Sequence, residues 1–191
     1  MRRGREWFVW MIMIWVFLTI HSPLLAMDDR ESRSTLQGLR AVYVKVENLD
    51  PELKKELKKG GLTEETLQTR IERRLEVAGI KVLSDEEFQS TDFTGILYVN
   101  VGILMPETLK KYTYTVDGER VPKGGPTEKY LYTIDVELRQ MVSLLRNPVV
   151  KGLATTWSTG SIGFRRLGGI QMDVADQVDT FANAYLSVKS K

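Results

Sequence analysis

Tyr130-Leu131-Tyr132-Thr133-Ile134-Asp135-Val136-Glu137-Leu138-Arg139 opens a run to Arg146 in which Tyr130, Tyr132, Ile134, Val136 and Leu138 alternate with Leu131, Thr133, Asp135, Glu137 and Arg139. A period of two is that of a half-buried strand. The first set forms an apolar face that must be covered; the second belongs on a wet face, which suits a sheet with helices on one side. At about 3.3 Å per residue the whole run would reach roughly 55 Å, beyond the usual strand, so a bend or bulge is expected at Gln140–Ser143.

Other segments read as neighbours of that strand. Leu39–Leu49 alternates with Val42, Val44 and Val46 on one side, and Ile96–Leu104 with Leu97, Val99, Val101 and Ile103. Arg146-Asn147-Pro148 reads as a turn into a last strand, Val149–Trp157, whose edge could accept a partner strand. Lys81–Leu83 is a brief extended piece. Trp157-Ser158-Thr159-Gly160-Ser161-Ile162-Gly163 reads as the fraying end of the last strand, followed by a loop through Gly168-Gly169; it lacks the lysine and spacing of a phosphate-binding loop.

Two amphipathic helices supply the cover. Thr63 can cap the first, Glu64 and Glu65 suit its positive end, and Leu62 can staple to Leu67. Leu67, Ile71, Leu75 and Ala78 form its stripe, and Gly79 with Ile80 predicts a Schellman ending. In the second, Ile170, Val174, Val178, Phe181 and Tyr185 keep helical spacing while Asp173, Asp176 and Asp179 stay outside. The charged stretch Glu52–Lys59 reads as a solvated surface turn or short helix, and Arg70, Arg73 and Arg74 as a solvated helix face. Ser84–Glu87 has the form of a capping box opening one turn, with Phe88 expected to plug into the core. The expected fold class is α+β: a single antiparallel or mixed sheet of about four to five strands with two amphipathic helices on one face, in the order β-α-β-β-β-β-α.

The amino terminus reads as an export signal. Met1-Arg2-Arg3-Gly4-Arg5 precedes an apolar run from Trp7 to Ile20, and Leu24-Leu25-Ala26 offers cleavage after Ala26. If residues 7–26 are not cleaved, they could span a bilayer and tether the body. The expected division is a signal at 1–26, a flexible leader at 27–37, and a single domain at 38–191 with a hairpin excursion at 106–129. Export implies a periplasmic or otherwise extracytoplasmic location.

Of the 27 basic and 25 acidic residues, loss of Arg2, Arg3, Arg5 and Glu6 with the signal leaves 24 of each. The +2 formal charge therefore belongs to the signal and gives no argument for nucleic acid or for an anionic membrane surface; a membrane is expected only through the signal segment if it is uncleaved. The chain has no cysteine, and its one histidine, His21, lies in the signal. A cleaved chain therefore has no means of Ser-His-Asp or Cys-His catalysis, no His or Cys metal site and no disulfide. Asp135 and Glu137 lie on one strand face about 7 Å apart, a separation open to a glycosidase pair, yet alternation requires polar residues there regardless. Asp85, Glu86 and Glu87 are consecutive and do not converge on one ion. Ser158 or Ser161 would need a lysine that the sequence does not place. No catalytic residue, cofactor or metal is assigned.

The long excursion holds Tyr112-Thr113-Tyr114-Thr115-Val116 before Asp117-Gly118, a type I′ hairpin signal. Tyr112 and Tyr114 share a face; with Tyr130 and Tyr132 at the base, and with Trp157, they form the candidate recognition surface, for a partner's apolar patch or for sugar rings. The expectation is a non-enzymatic protein with a protein partner in the cell envelope; a glycan- or small-molecule-binding module and a histidine-free hydrolase are the alternatives.

The segments Ala154-Thr155-Thr156-Trp157-Ser158-Thr159-Gly160-Ser161-Ile162-Gly163 and Asp179-Thr180-Phe181-Ala182-Asn183-Ala184-Tyr185-Leu186-Ser187-Val188 resemble a group of uncharacterised exported bacterial proteins, over most of the mature chain. At fold level the element order also resembles the amino-terminal domain of TolB and the CsgG-like secretion lipoproteins. This chain departs from the lipoproteins in having no lipid-bearing cysteine.

Overall fold

A computed structural model describes residues 28–90, 95–104 and 129–189. The expected signal, its cleavage point, and the hairpin carrying Tyr112, Tyr114 and Asp117-Gly118 lie outside the described residues. Along the chain the elements are α1 (Arg30–Ser34), β1 (Val42–Val46), α2 (Lys54–Lys59), α3 (Glu64–Val77), α4 (Asp85–Ser90), β2 (Gly95–Leu104), β3 (Tyr130–Leu144), β4 (Asn147–Arg165) and α5 (Leu167–Lys189).

The class is α+β with one four-stranded mixed sheet in the order β1-β2-β3-β4. Strands β1 and β2 run parallel, while β2, β3 and β4 pair antiparallel. The order differs from the expected one in two ways. Lys81–Leu83 is no strand but a single parallel bridge from Val82 to Val42. Three short helices accompany the two amphipathic ones, for five in all among the described residues.

Alternation decides which side of the sheet is dry. Val42, Val44 and Val46 of β1, Leu97, Val99, Val101 and Ile103 of β2, and Tyr130, Tyr132, Ile134, Val136 and Leu138 of β3 are all buried. Helix α5 covers them at β3 and β4 with Ile170, Val174, Val178, Phe181 and Tyr185, and α3 lies over β1 with Leu67, Ile71 and Leu75. The Thr63 hydroxyl accepts from Thr66 N–H, and the Thr66 hydroxyl accepts in return from Thr63 N–H, closing a capping box at the start of α3. At its other end Gly79 takes φ 76°, the Ile80 N–H donates to Leu75 O and the Gly79 N–H to Glu76 O. That is the Schellman pattern read from the sequence.

Several expectations are corrected. The described part of the expected leader, 28–37, carries a helix: Asp29 and Ser32 close a capping box on α1, and the Arg33 guanidinium grips Asp28 through two 2.6 Å bonds. Asp28 also accepts from the Trp157 indole N–H at 2.9 Å, fixing α1 to the sheet. Helix α2 is not wholly solvated, because Leu53 and Leu57 are buried. Phe88 does not enter the core; it stacks on Tyr43 at 4.5 Å on the opposite face, where Tyr43 donates to Asp85.

The largest correction concerns β4. It neither frays after Trp157 nor leads into a loop, but pairs with β3 as far as Tyr130↔Arg165, and Gly168-Gly169 lie inside α5. The glycines that read as breakers admit close neighbours instead. A Cβ on Gly160 would stand 2.7 Å from the Ile134 carbonyl, and one on Gly163 would stand 2.5 Å from the Tyr132 hydroxyl. The expected irregularity falls slightly before Gln140–Ser143 and on the other strand. Leu138 pairs with Trp157 but Arg139 with Thr155, leaving Thr156 as an extra residue, with a second register shift between Ser143 and Leu144.

Two stability predictions follow. Gly163→Ala drives the Tyr132 ring off its seat and should cost about 1–3 kcal/mol in urea unfolding. Asp28→Asn should cost about 1 kcal/mol at neutral pH, since Arg33 is partly exposed and its ion pair partly screened. The hydrogen bond from Arg33 holds the Asp28 carboxyl below its ordinary value. A lowered carboxyl pKa stabilises the fold above the ordinary carboxylate range, and the contribution fades as pH falls through the folded value. The gap between wild type and Asp28→Asn should therefore close in acid.

Candidate functional site

The expected recognition surface divides on inspection. Tyr130, Tyr132 and Trp157 belong to the core: each is on the helix-covered face and buried. Trp157 packs edge-on to Phe181 at 5.3 Å, and Tyr132 reaches the Asp173 carboxylate, which also pairs with Arg165 at 3.1 Å. As placed, none of the three offers a ring to a ligand. Their burial follows from the same alternation that defines the strand. Tyr112 and Tyr114 lie outside the described residues.

The face away from the helices carries the polar positions. Arg139 sets its guanidinium 3.7 Å from the Tyr98 ring centroid and donates to Glu137, which also accepts from Thr155 at 3.0 Å. Asp135 stands opposite Asn100 and Gly160; burial, then the neighbouring Glu137 charge, pushes its carboxyl above the ordinary value. The two carboxylates share a face, as expected, but Glu137 is engaged by an arginine on its own strand. Ser158 pairs with Glu137 on this face, whereas the Ser161 hydroxyl points the other way, buried opposite Ile134 and without a hydrogen-bond partner among the described residues. No group of acidic or histidine side chains among the described residues could hold a metal ion.

Among the described residues, hollows open at the surface in two places of note. One, of about 590 Å³, runs between α3 and α5 over Leu67, Ile71, Val174 and Val178 and is rimmed by Arg70, Arg73 and Arg74. Arg74 pairs with Asp179 and Arg70 donates to Gln171, so two of these arginines tie the helices together. The other, of about 740 Å³, lies at the root of the β3–β4 hairpin between Gln37, Leu39, Gln140, Val142 and Lys151.

Among the described residues, the most exposed apolar surface is one that the sequence did not single out. Strand β2 has its last partner on β3 at Arg139, so Gln140–Ala154 continue as a two-stranded arm beyond the sheet. The bulge at Thr156 changes the phase of β4: Trp157 and Thr159 face the core, but Thr155, Leu153 and Lys151 pair with Arg139, Met141 and Ser143 on the outer side. Met141 is 65% exposed and Leu153, its partner, is likewise exposed; Val149 is 88% exposed and Leu145, at the tip, fully so. A lone two-stranded ribbon is marginal in water and gains most from packing on something else. The available signal was the pair of apolar runs Met141–Leu145 and Val149–Leu153 around one turn.

Strand β4 is also an edge. Among the described residues its only strand partner is β3, whereas the outer edge of β1 is met by the Val82 bridge. Beside this edge Ile162 is 69% exposed. No helix among the described residues is long and apolar enough to cross a membrane. The chain matches no protein-family model and no curated protein.

One pH effect belongs to this region. Burial, then the bond to Asp173, raises the Tyr132 hydroxyl to about 12. A raised folded value keeps its stabilising contribution intact below the ordinary tyrosine pKa near 10 and loses it as pH climbs toward about 12. Ultraviolet titration should show late-ionising tyrosine absorbance, to which the raised Tyr43, Tyr98 and Tyr185 also contribute, and Tyr132→Phe should remove the part that ionises at about 12 together with part of the alkaline loss of stability.

Proposed function

We propose that this chain is an exported, non-enzymatic binding or assembly protein of the bacterial cell envelope that works by protein–protein contact, with a partner strand added along β4. The observation that carries the reading is the β4 edge itself: Trp157–Arg165 is held by β3 on one side and has no strand on the other among the described residues. Nine residues at about 3.3 Å present roughly 30 Å of main-chain donors and acceptors. Partner strands use such edges because the ladder supplies affinity while alternate side chains supply selectivity.

The rest of the chain fits a contact role. An unguarded edge invites self-pairing, and natural edges are blunted by charge, proline or bulges. Here Pro148 and Lys151 sit on the arm and the bulge at Thr156 interrupts the middle, which leaves Trp157–Arg165 as the continuous stretch. Export comes from the reading of residues 1–26, and the absence of catalysis from a mature chain without histidine or cysteine.

The test is native purification in mild detergent, followed by sizing and mass spectrometry, for wild type and for Ile162→Lys. Ile162 is exposed, so the lysine should leave stability within about 0.5 kcal/mol while placing a charge beside the edge. A stoichiometric assembly in the wild type that Ile162→Lys dissolves is the expected result. A wild-type chain that migrates alone overturns the assembly reading.

A further inference from the structure

We propose that the β3–β4 arm docks on an anionic lipid surface, with Leu145, Val149 and Met141 entering the interface and Arg146 and Lys151 meeting the headgroups. This does not depend on what pairs with the β4 edge, because it uses a different part of the molecule.

Charge is the first argument. Between Glu137 and Asp173 the chain has no acidic residue. Arg139 and Arg165 are paired with those two bounding carboxylates, whereas Arg146 and Lys151, on the arm, have no acidic partner among the described residues. Arg146 follows the fully exposed Leu145 at the tip, and Lys151 lies five residues farther along, after the exposed Val150 and two positions before the exposed Leu153. Apolar side chains interleaved with cations, without an anion to neutralise them, suit the boundary between acyl chains and anionic headgroups. The hollow at the arm's root, lined by Thr35, Gln37, Gln140, Ser143 and Lys151 among others, has no acidic residue either. A second copy of the arm is the poorer occupant, since each brings the same cations and no anions.

Chain geometry is the second argument. Where it is retained, the segment Trp7–Ala26 ends two positions before Asp28, and Asp28 is bonded to Trp157, at the foot of the arm. Thr35, just past α1, also donates to the Thr156 carbonyl. The segment able to enter a bilayer thus joins the body where the arm begins. From Leu138 to Leu145 the arm reaches roughly 23 Å, so both apolar parts of the chain meet one bilayer if they project to the same side.

The absence of cysteine allows a direct test. Leu145→Cys in the full-length chain is labelled with an environment-sensitive fluorophore and reconstituted into phosphatidylcholine vesicles with or without phosphatidylglycerol, with lipid-borne quenchers. Val77→Cys, 83% exposed on α3, is the control position. The expected result is quenching of the label at position 145 by anionic vesicles alone, none at position 77, and a ratio of buried to exposed label that falls about thirtyfold or more in Arg146→Glu/Lys151→Glu. Three outcomes overturn the proposal: a label at 145 that stays in water in both vesicle types, quenching indifferent to charge reversal, or shielding without lipid that grows with protein concentration, which would assign the arm to a second copy.

Discussion

The indole of Trp157 is the contact on which the remaining architecture rests. Its ring fills the space between β4 and α5 against Phe181, its backbone pairs with Leu138 at the last regular step of the sheet, and its N–H is taken by Asp28 ahead of α1. A buried tryptophan needs a partner for that single donor. Here the partner is a carboxylate already held by Arg33 and brought to the sheet beside a helix that could not persist alone at five residues. Strand, helix and leader are therefore assembled around one side chain.

That centre also explains how the two ends of the sheet come to differ. On the side of Trp157 toward Arg165, β4 is backed by α5 and Trp157 and Thr159 are dry. On the side toward Asn147 the apolar residues Met141, Leu145, Val149 and Leu153 of the hairpin are wet. The change occurs across one residue, Thr156, whose hydroxyl bonds to Gln140 at 2.8 Å. A protein with a single core thus carries two kinds of apolar surface: one satisfied by its own helices, the other offered outward.

Much of the fold was legible because it is local. The alternation in β1, β2 and β3 assigned inner and outer faces correctly, and the ends of α3 followed from Thr63, Gly79 and Ile80. What was not legible depends on distant partners. The bond anchoring α1 joins residues 129 positions apart. Gly160 and Gly163 look like punctuation until Ile134 and Tyr132 are seen lying against them. Of the candidate site, Tyr130 and Tyr132 were given two incompatible roles, core stripe and exposed platform, and burial resolves the matter in favour of the stripe. The arm escaped notice because apolar residues in a strand read as core unless the length of the neighbouring strand is known.

The extra residue at Thr156 has a consequence for how this chain can vary in length. Strand residues change sides every step, so the arm can grow or shrink by paired residues on β3 and β4 while each side chain keeps its face. Deleting Thr156 alone leaves the faces as they are: Thr155 and Trp157 become neighbours, already on opposite sides and already paired with Arg139 and Leu138. What the deletion removes is the bend and added twist that the extra residue gives β4. Related chains should therefore differ in the reach of the hairpin while each side chain keeps its face, and the residue at its foot sets the direction in which the arm leaves the sheet.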